Sequence, residues 1–257
     1  MKLRYLLIFC LVIMLASCSS KKNILYFQDL NEDISYESKF IEYKLQIDDI
    51  LKIDINSDLP EASLVLNPNA VSTNLANTKD ALLYSGYQIN TDGYVNLPSI
   101  GEVKAQGLTI SEFRKILKNE IKNNKKILLD PYIDVKLLNA HFTVLGEVNM
   151  PGRYDFLKNN MTILEAIGTA GDLTIQGKRD DIKIIRSIDN TKKIINIDLT
   201  SSDLLSDINK FQVYSRDIII VNPNTTRVKN AGIIGNSGTL ISLLSFILTS
   251  IIIISNN

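Results

Sequence analysis

The stretch that decides the fold is "HFTVLGEVNMPGRYDFLKNNMTILEAIGTAGD", residues His141 to Asp172. Apolar and polar residues alternate on each side of the breaker "NMPG", which marks two short strands with Pro151 and Gly152 in the turn between them. The period then changes. In "MTILEAIGTAGD" the apolar residues recur at helical spacing. Thr162 and Glu165 stand three apart as a capping box, and Gly171 is placed to stop the helix in a left-handed conformation.

Three more β-rich runs follow, "DDIKIIRS", "KKIINIDL" and "RDIIIVN". A sheet with one helix across it, over residues 139–223, suits a ubiquitin-like β-grasp domain, although the pattern alone fits other small α+β folds as well.

A second α+β unit precedes it, over residues 41–138. "YKLQIDDILKIDIN" (Tyr43 to Asn56) alternates on both sides of Asp48-Asp49 and reads as two half-buried strands joined by a tight turn. "YQINTDGYVNLPSIGEV" repeats the idea around Asp92-Gly93, a hairpin signal because glycine readily takes positive φ. "TISEFRKILKNEIKNNKK" is helical: Ile110, Phe113, Leu117 and Ile121 share a face, and Thr109 with Glu112 forms a capping box. "YIDVKLL" returns to a strand. The Asn/Ser-rich segment from Asn56 to Asp80 reads as a mobile insertion.

Both ends of the chain are apolar. "MKLRYLLIFCLVIMLASC" has two cations, an apolar stretch too short to span a bilayer and then small residues, which is the plan of a secretory signal peptide. "LASC" resembles a bacterial lipobox, which implies cleavage after residue 17 and acylation of Cys18. Residues 18–40 then form a polar tether with a small apolar patch, "ILYF". Cys10 leaves with the signal, so no intramolecular disulfide remains. At the other end, "GTLISLLSFILTSIIIISNN" carries no charged side chain. Residues 239–254 would extend about 24 Å as a helix, and starting near Asn230 lengthens this enough for a bilayer. On a helical wheel Gly238, Ser242, Ser245 and Thr249 form a narrow polar stripe on an otherwise apolar surface, suited to helix–helix seams or to the wall of a water-filled lumen. Residues 224–257 thus read as a hinge and a transmembrane helix.

Composition excludes several classes. With 28 cations against 28 acids, of which the signal carries two cations, the remaining chain has no basic footprint for nucleic acid. His141 is the sole histidine and has no metal-ligand spacing around it, so neither a metal nor another cofactor is expected. The acidic pairs Glu32-Asp33, Asp48-Asp49 and Asp180-Asp181 are adjacent, which points them to opposite faces of a strand or into solvent rather than across one sugar. Tryptophan is absent, leaving ten tyrosines as the only large amphipathic platforms for a sugar.

The motifs in order, "YKLQIDDILKIDI", "GYQINTDGYVNLPSIGEVKAQGLTISEFRKIL", "DPYIDVKLLNAHFTVLGEVNMPGRYDF", "MTILEAIGTAGDL" and "DIKIIR", resemble the bacterial outer-membrane lipoproteins that export capsular polysaccharide and exopolysaccharide. The resemblance implies a polysaccharide export domain followed by one soluble-ligand-binding β-grasp (SLBB) domain. It also implies a homo-oligomeric ring, an octamer in the family, with porin-like passage of sugar and ions. The lipid-anchored ring would sit in the outer membrane with its bulk in the periplasm, and an inner-membrane polysaccharide co-polymerase would be its partner. Such a protein is a transport component and not an enzyme. Two positions depart from the family pattern, Asp48 where Gly is usual and Asp172 where a second Gly is usual. Aspartate tolerates left-handed backbone, so both turns can form. The alternative is a lipid-anchored periplasmic glycan- or ligand-binding protein that forms no pore.

Overall fold

The computed structural model describes residues 24–30, 34–36, 39–56, 66–67, 79–98, 100–125, 131–156, 158, 160–188 and 191–225, together with 238, 241–243, 245–246, 249–250 and 253. The signal segment, Cys18 and much of the C-terminal run lie outside these residues.

Two hydrophobic cores organise the chain. The first gathers Leu45, Leu51, Ile53, Ile55, Ile89, Val95, Phe113, Leu117, Ile121, Ile133 and Val135. Strand β1 (Ile50–Asn56) lies between β2 (Tyr87–Gln88) and β5 (Tyr132–Leu137), antiparallel to both. Its alternating burial puts Leu51, Ile53 and Ile55 inward. A short helix α1 (Lys79–Ser85) precedes β2, and β3 (Tyr94–Leu97) pairs with β4 (Gly101–Lys104). Helix α2 (Ile110–Lys125) covers this core with Phe113, Leu117 and Ile121, all essentially inaccessible. Its capping box is formed: the Glu112 amide donates to Thr109 Oγ1 at 3.2 Å and the Thr109 amide to Glu112 Oε2 at 2.8 Å.

One reading of this unit needs correction and another is described only in part. Residues 43–47 are not a strand; Leu45 bonds the loop at Gly107 and Leu108 through its backbone, and only Lys44 forms a β-bridge, to Thr109. Of the segment read as an insertion, residues 57–65 and 68–78 lie outside the described residues, but Leu66 and Asn67 belong to the core. Leu66 is buried there, and Asn67 accepts from the Ile55 amide at 2.8 Å, closing the end of β1.

The second core is built on a five-stranded sheet with short helices packed against it. Strands β6 (His141–Gly146) and β7 (Gly152–Asp155) form a hairpin, β8 (Met161–Thr162) leads into α3 (Ile163–Thr169), and β9 (Gly177–Ile188) and β10 (Thr191–Ile197) form a second hairpin. A 3₁₀ turn (Ser202–Leu205), α4 (Ile208–Phe211) and β11 (Gln212–Val213) follow. Strand β12 (Ile218–Pro223) then enters the middle of the sheet, parallel to β6 and antiparallel to β9. The order β10-β9-β12-β6-β7, with its single central parallel pair, is the β-grasp arrangement. Thr162 and Glu165 make the second capping box, and Gly171 and Asp172 both take left-handed backbone after the helix, at φ +76° and +70°.

This register gives the sheet two poles. At one lie the start of β6, the end of β9 and the start of β12, where the first domain joins. At the other lie the end of β6 (Gly146 opposite Val221), the start of β9 (Gly177 opposite Pro223) and the end of β10 (Ile197 opposite Ile182).

Candidate functional site

The junction between the two cores is the most polar buried region among the described residues. It begins with the turn at Asp48. This residue has φ +65°, and its left-handed backbone turns the next side chain inward. Asp49 is therefore fully buried, which corrects the expectation of a solvated acidic pair. Its carboxylate accepts from the Gln46 amide at 2.8 Å, the Tyr43 hydroxyl at 3.0 Å and Arg216 Nη2 at 2.9 Å. Arg216 belongs to the second domain, so this one carboxylate ties the cores together. Burial pushes the Asp49 carboxyl above its usual range, while the Gln46 amide, Arg216 and Tyr43 hold it back. Burial, reinforced by the Asp49 charge, also raises the Tyr43 hydroxyl.

Arg216 is itself held in an unusual conformation, φ +70°, with its amide donating to His141 O at 2.6 Å. The turn around it is locked from below. Asp217 is buried and accepts a fork from Arg186, Nε at 3.0 Å and Nη2 at 2.7 Å, as well as the Tyr214 amide at 2.8 Å. The remaining Arg186 donors reach Asn209 O and Gln212 O, and the guanidinium lies 4.0 Å from the centre of the Tyr214 ring. Every charge here has a partner, as burial requires. Burial pushes the Asp217 carboxyl up, and the Arg186 fork opposes it. Gln212 adds a further clamp, accepting from the Ile41 amide at 2.9 Å and donating to the Ile41 carbonyl at 2.8 Å.

Beside this network a cleft of about 530 Å³ opens between the domains, with Lys44, Gln46, Gln106, Ser187, Lys192 and Arg216 among its walls. Its surface is rich in hydrogen-bond donors. The carboxylates in and beside it each have a hydrogen-bond partner: Glu42 Oε1 accepts from the Ser111 hydroxyl at 3.0 Å, Asp48 Oδ1 from Gln88 at 2.9 Å, and the buried Asp49 from Arg216 and Tyr43. No cluster of metal-ligating side chains occurs among the described residues.

The remaining candidate residues are dispersed. Asp92 and Gly93 (φ +83°) form the turn before β3, far in sequence from Pro151 and Gly152 at the start of β7. Gly171 faces the β6–β7 loop, where a Cβ on it would lie 3.1 Å from the Met150 methyl. Gly238, Ser242, Ser245 and Thr249 are helical, and two of the hydroxyls turn back on their own helix: Ser242 donates to Gly238 O at 2.9 Å and Thr249 to Ser245 O at 2.7 Å. Among the described residues no helix is long and apolar enough to cross a membrane. Cys18 and the 1–17 signal lie outside the described residues.

Sequence reasoning did not find Arg186, Gln212, Arg216 or Asp217. The partners Asp49 and Arg216 lie 167 positions apart, and a lone charged residue in a β-rich run carries no local sign of its mate.

Residues 39–138 match the family model described as polysaccharide biosynthesis/export protein, and residues 141–194 match that of the SLBB domain. Over 155 residues the chain is 29% identical to the EPS I polysaccharide export outer membrane protein EpsA of Ralstonia nicotianae, and 27% identical to the protein of the same name from Ralstonia solanacearum. Each alignment covers 58% of this chain and 40% of the relative, so the match spans less than half the length of the relatives.

Proposed function

As the chain belongs to the polysaccharide biosynthesis/export family, we propose that it is a lipid-anchored outer-membrane component whose copies form a ring that conducts a polysaccharide out of the periplasm. The observation that carries this reading is the adjacency of the two matched domains in one chain, followed by an apolar helical tail. Along that tail Ile241, Leu243, Phe246 and Ile253 are exposed, Phe246 by 72%. An apolar medium on one side and sister helices on the other would cover them. The hydroxyl stripe bonds its own backbone in the isolated chain and becomes the seam, or the lumen wall, when copies assemble.

In this reading residues 1–17 direct secretion and Cys18 carries acyl chains such as palmitate. Residues 224–233 are the hinge into a membrane-spanning barrel of helices. The ring supplies passage only. Synthesis and energy come from an inner-membrane polysaccharide co-polymerase docked at the periplasmic side. The donor-rich cleft favours a second reading, a lipid-anchored glycan-binding protein without a pore. Deleting residues 238–257 separates the two. The channel reading expects a lipidated, folded protein and no polymer at the cell surface, whereas full export by the truncated chain overturns it.

A further inference from the structure

We propose that the pole of the β-grasp sheet opposite the first domain rests on the lipid surface, with Met150, Ile175 and Leu25 as its apolar contacts. The proposal rests on the reading above that Cys18 is acylated and the C-terminal run enters the membrane. It adds which face of the protein meets lipid.

Both routes to the membrane leave from this pole. The N-terminal tether is pinned here: the Phe27 amide donates to Leu199 O at 2.9 Å and the Gln28 amide to Thr200 O at 2.8 Å. Asp29 accepts from the Ser202 amide at 2.6 Å and from the Ser201 hydroxyl at 3.2 Å. The Tyr26 hydroxyl donates to Asp172, and its ring lies beside the buried Arg179 guanidinium. Cys18 is seven residues before Leu25, a reach of at most about 25 Å for an extended chain. An acyl anchor at Cys18 cannot let this pole drift far from the bilayer. The C-terminal exit is the same: β12 ends at Pro223 opposite Gly177, and the Asn224 amide donates to Gln176 O at 2.7 Å.

The loops at this pole present large apolar side chains on stiff supports. Ile175 is 70% exposed, and Met150 and Leu25 are each 55% exposed. The Met150 amide donates to Ala170 O at 2.9 Å, and its carbonyl accepts from the Tyr154 hydroxyl. The loop carrying Ile175 is braced by Thr174, whose amide reaches Glu147 O at 3.0 Å and whose hydroxyl reaches Glu147 Oε2 at 2.9 Å. Rigid apolar tips lose little freedom on insertion. Charges of both signs stand nearby, Asp29, Glu147, Asp198 and Asp203 with Lys178 and Arg153, so the apolar tips and not a basic patch for anionic headgroups carry the contact. The opposite pole is unavailable because the first domain occupies it through Arg216, Ser187 and the Asp49 junction.

The test places nitroxide labels on the acylated full chain, reconstituted in vesicles of phosphatidylethanolamine and phosphatidylglycerol. Met150→Cys and Ile175→Cys are compared with Tyr84→Cys and Tyr132→Cys, at exposed first-domain positions of 91% and 69%. The proposal expects labels at 150 and 175 to collide several-fold less with a water-soluble nickel chelate, and more with oxygen, than labels at 84 and 132. Equal chelate access at all four positions in vesicles, with Cys18 acylation verified by mass, overturns the proposal while leaving the anchor reading intact. Low collision with both the chelate and oxygen at 150 and 175 assigns the tips to a neighbouring copy and overturns it too. An unacylated Cys18 overturns the underlying reading, and the proposal with it.

Discussion

Gly146 closes the central parallel pair of the second domain, and Gly146→Ala measures how tightly that pair is built. The residue has φ +93°, a conformation costing an L-residue about 1–2 kcal/mol. A Cβ there would also sit 2.1 Å from the Val221 carbonyl oxygen, which is backbone and cannot rotate away. Relief requires β6 and β12 to part by about 1 Å, given an ordinary contact of about 3.2–3.4 Å. That weakens the bond from the Glu147 amide to the same oxygen, 3.1 Å long, and leaves a buried acceptor poorly satisfied at about 1–3 kcal/mol. The total expected loss is about 2–5 kcal/mol. Gly107→Ala supplies the control, since Gly107 has φ +81° but nothing within 4 Å of a built Cβ; it should lose about 1–2 kcal/mol from backbone strain alone. Urea unfolding followed by circular dichroism, with both variants run beside the parent, reads the difference. Equal losses for the two variants would refute the claim that close approach of β12, rather than backbone conformation, fixes glycine at 146.

Other perturbations probe the junction and the helix cap. Arg186→Met leaves the Asp217 carboxylate buried without its partner and should cost about 3–5 kcal/mol, while Arg186→Met with Asp217→Leu should recover most of it; a double-mutant cycle by urea unfolding checks the coupling. Arg216→Gly relieves a left-handed non-glycine residue but removes the Asp49 partner, so the second domain should unfold no earlier while protease cleavage near Asn139 accelerates. Glu165 is held below the usual glutamate range by Lys158 first and then by the Thr162 amide. Its contribution is therefore present above the unfolded-state value and is lost as pH falls through the lowered one. Glu165→Gln should flatten the acid limb of a melting-temperature profile.

The parts of this fold that sequence made legible are those in which a local signal and its structural consequence share one segment. Both capping boxes, Thr109 with Glu112 and Thr162 with Glu165, satisfy helix ends within four residues. The alternation of β1, β6 and β9 reports burial on one face directly. Residues 43–47 alternate too, yet their backbone pairs with the Gly107–Thr109 loop, because alternation registers half-burial and not the identity of the hydrogen-bonding partner. Nor does sequence order disclose that β12 inserts between β6 and β9, or that Gln212 clasps Ile41 across 171 positions. The junction at Asp49 was hidden for the same reason: a buried carboxylate is defined by what comes to meet it.

The claim that copies of this chain form a conducting ring is tested most directly by the native mass of the acylated protein extracted from outer membranes in mild detergent. A closed assembly of defined copy number, converted to smaller species when residues 238–257 are removed, is the predicted result. A monomer at every detergent and protein concentration would contradict the account and leave a lipid-anchored binding protein in its place.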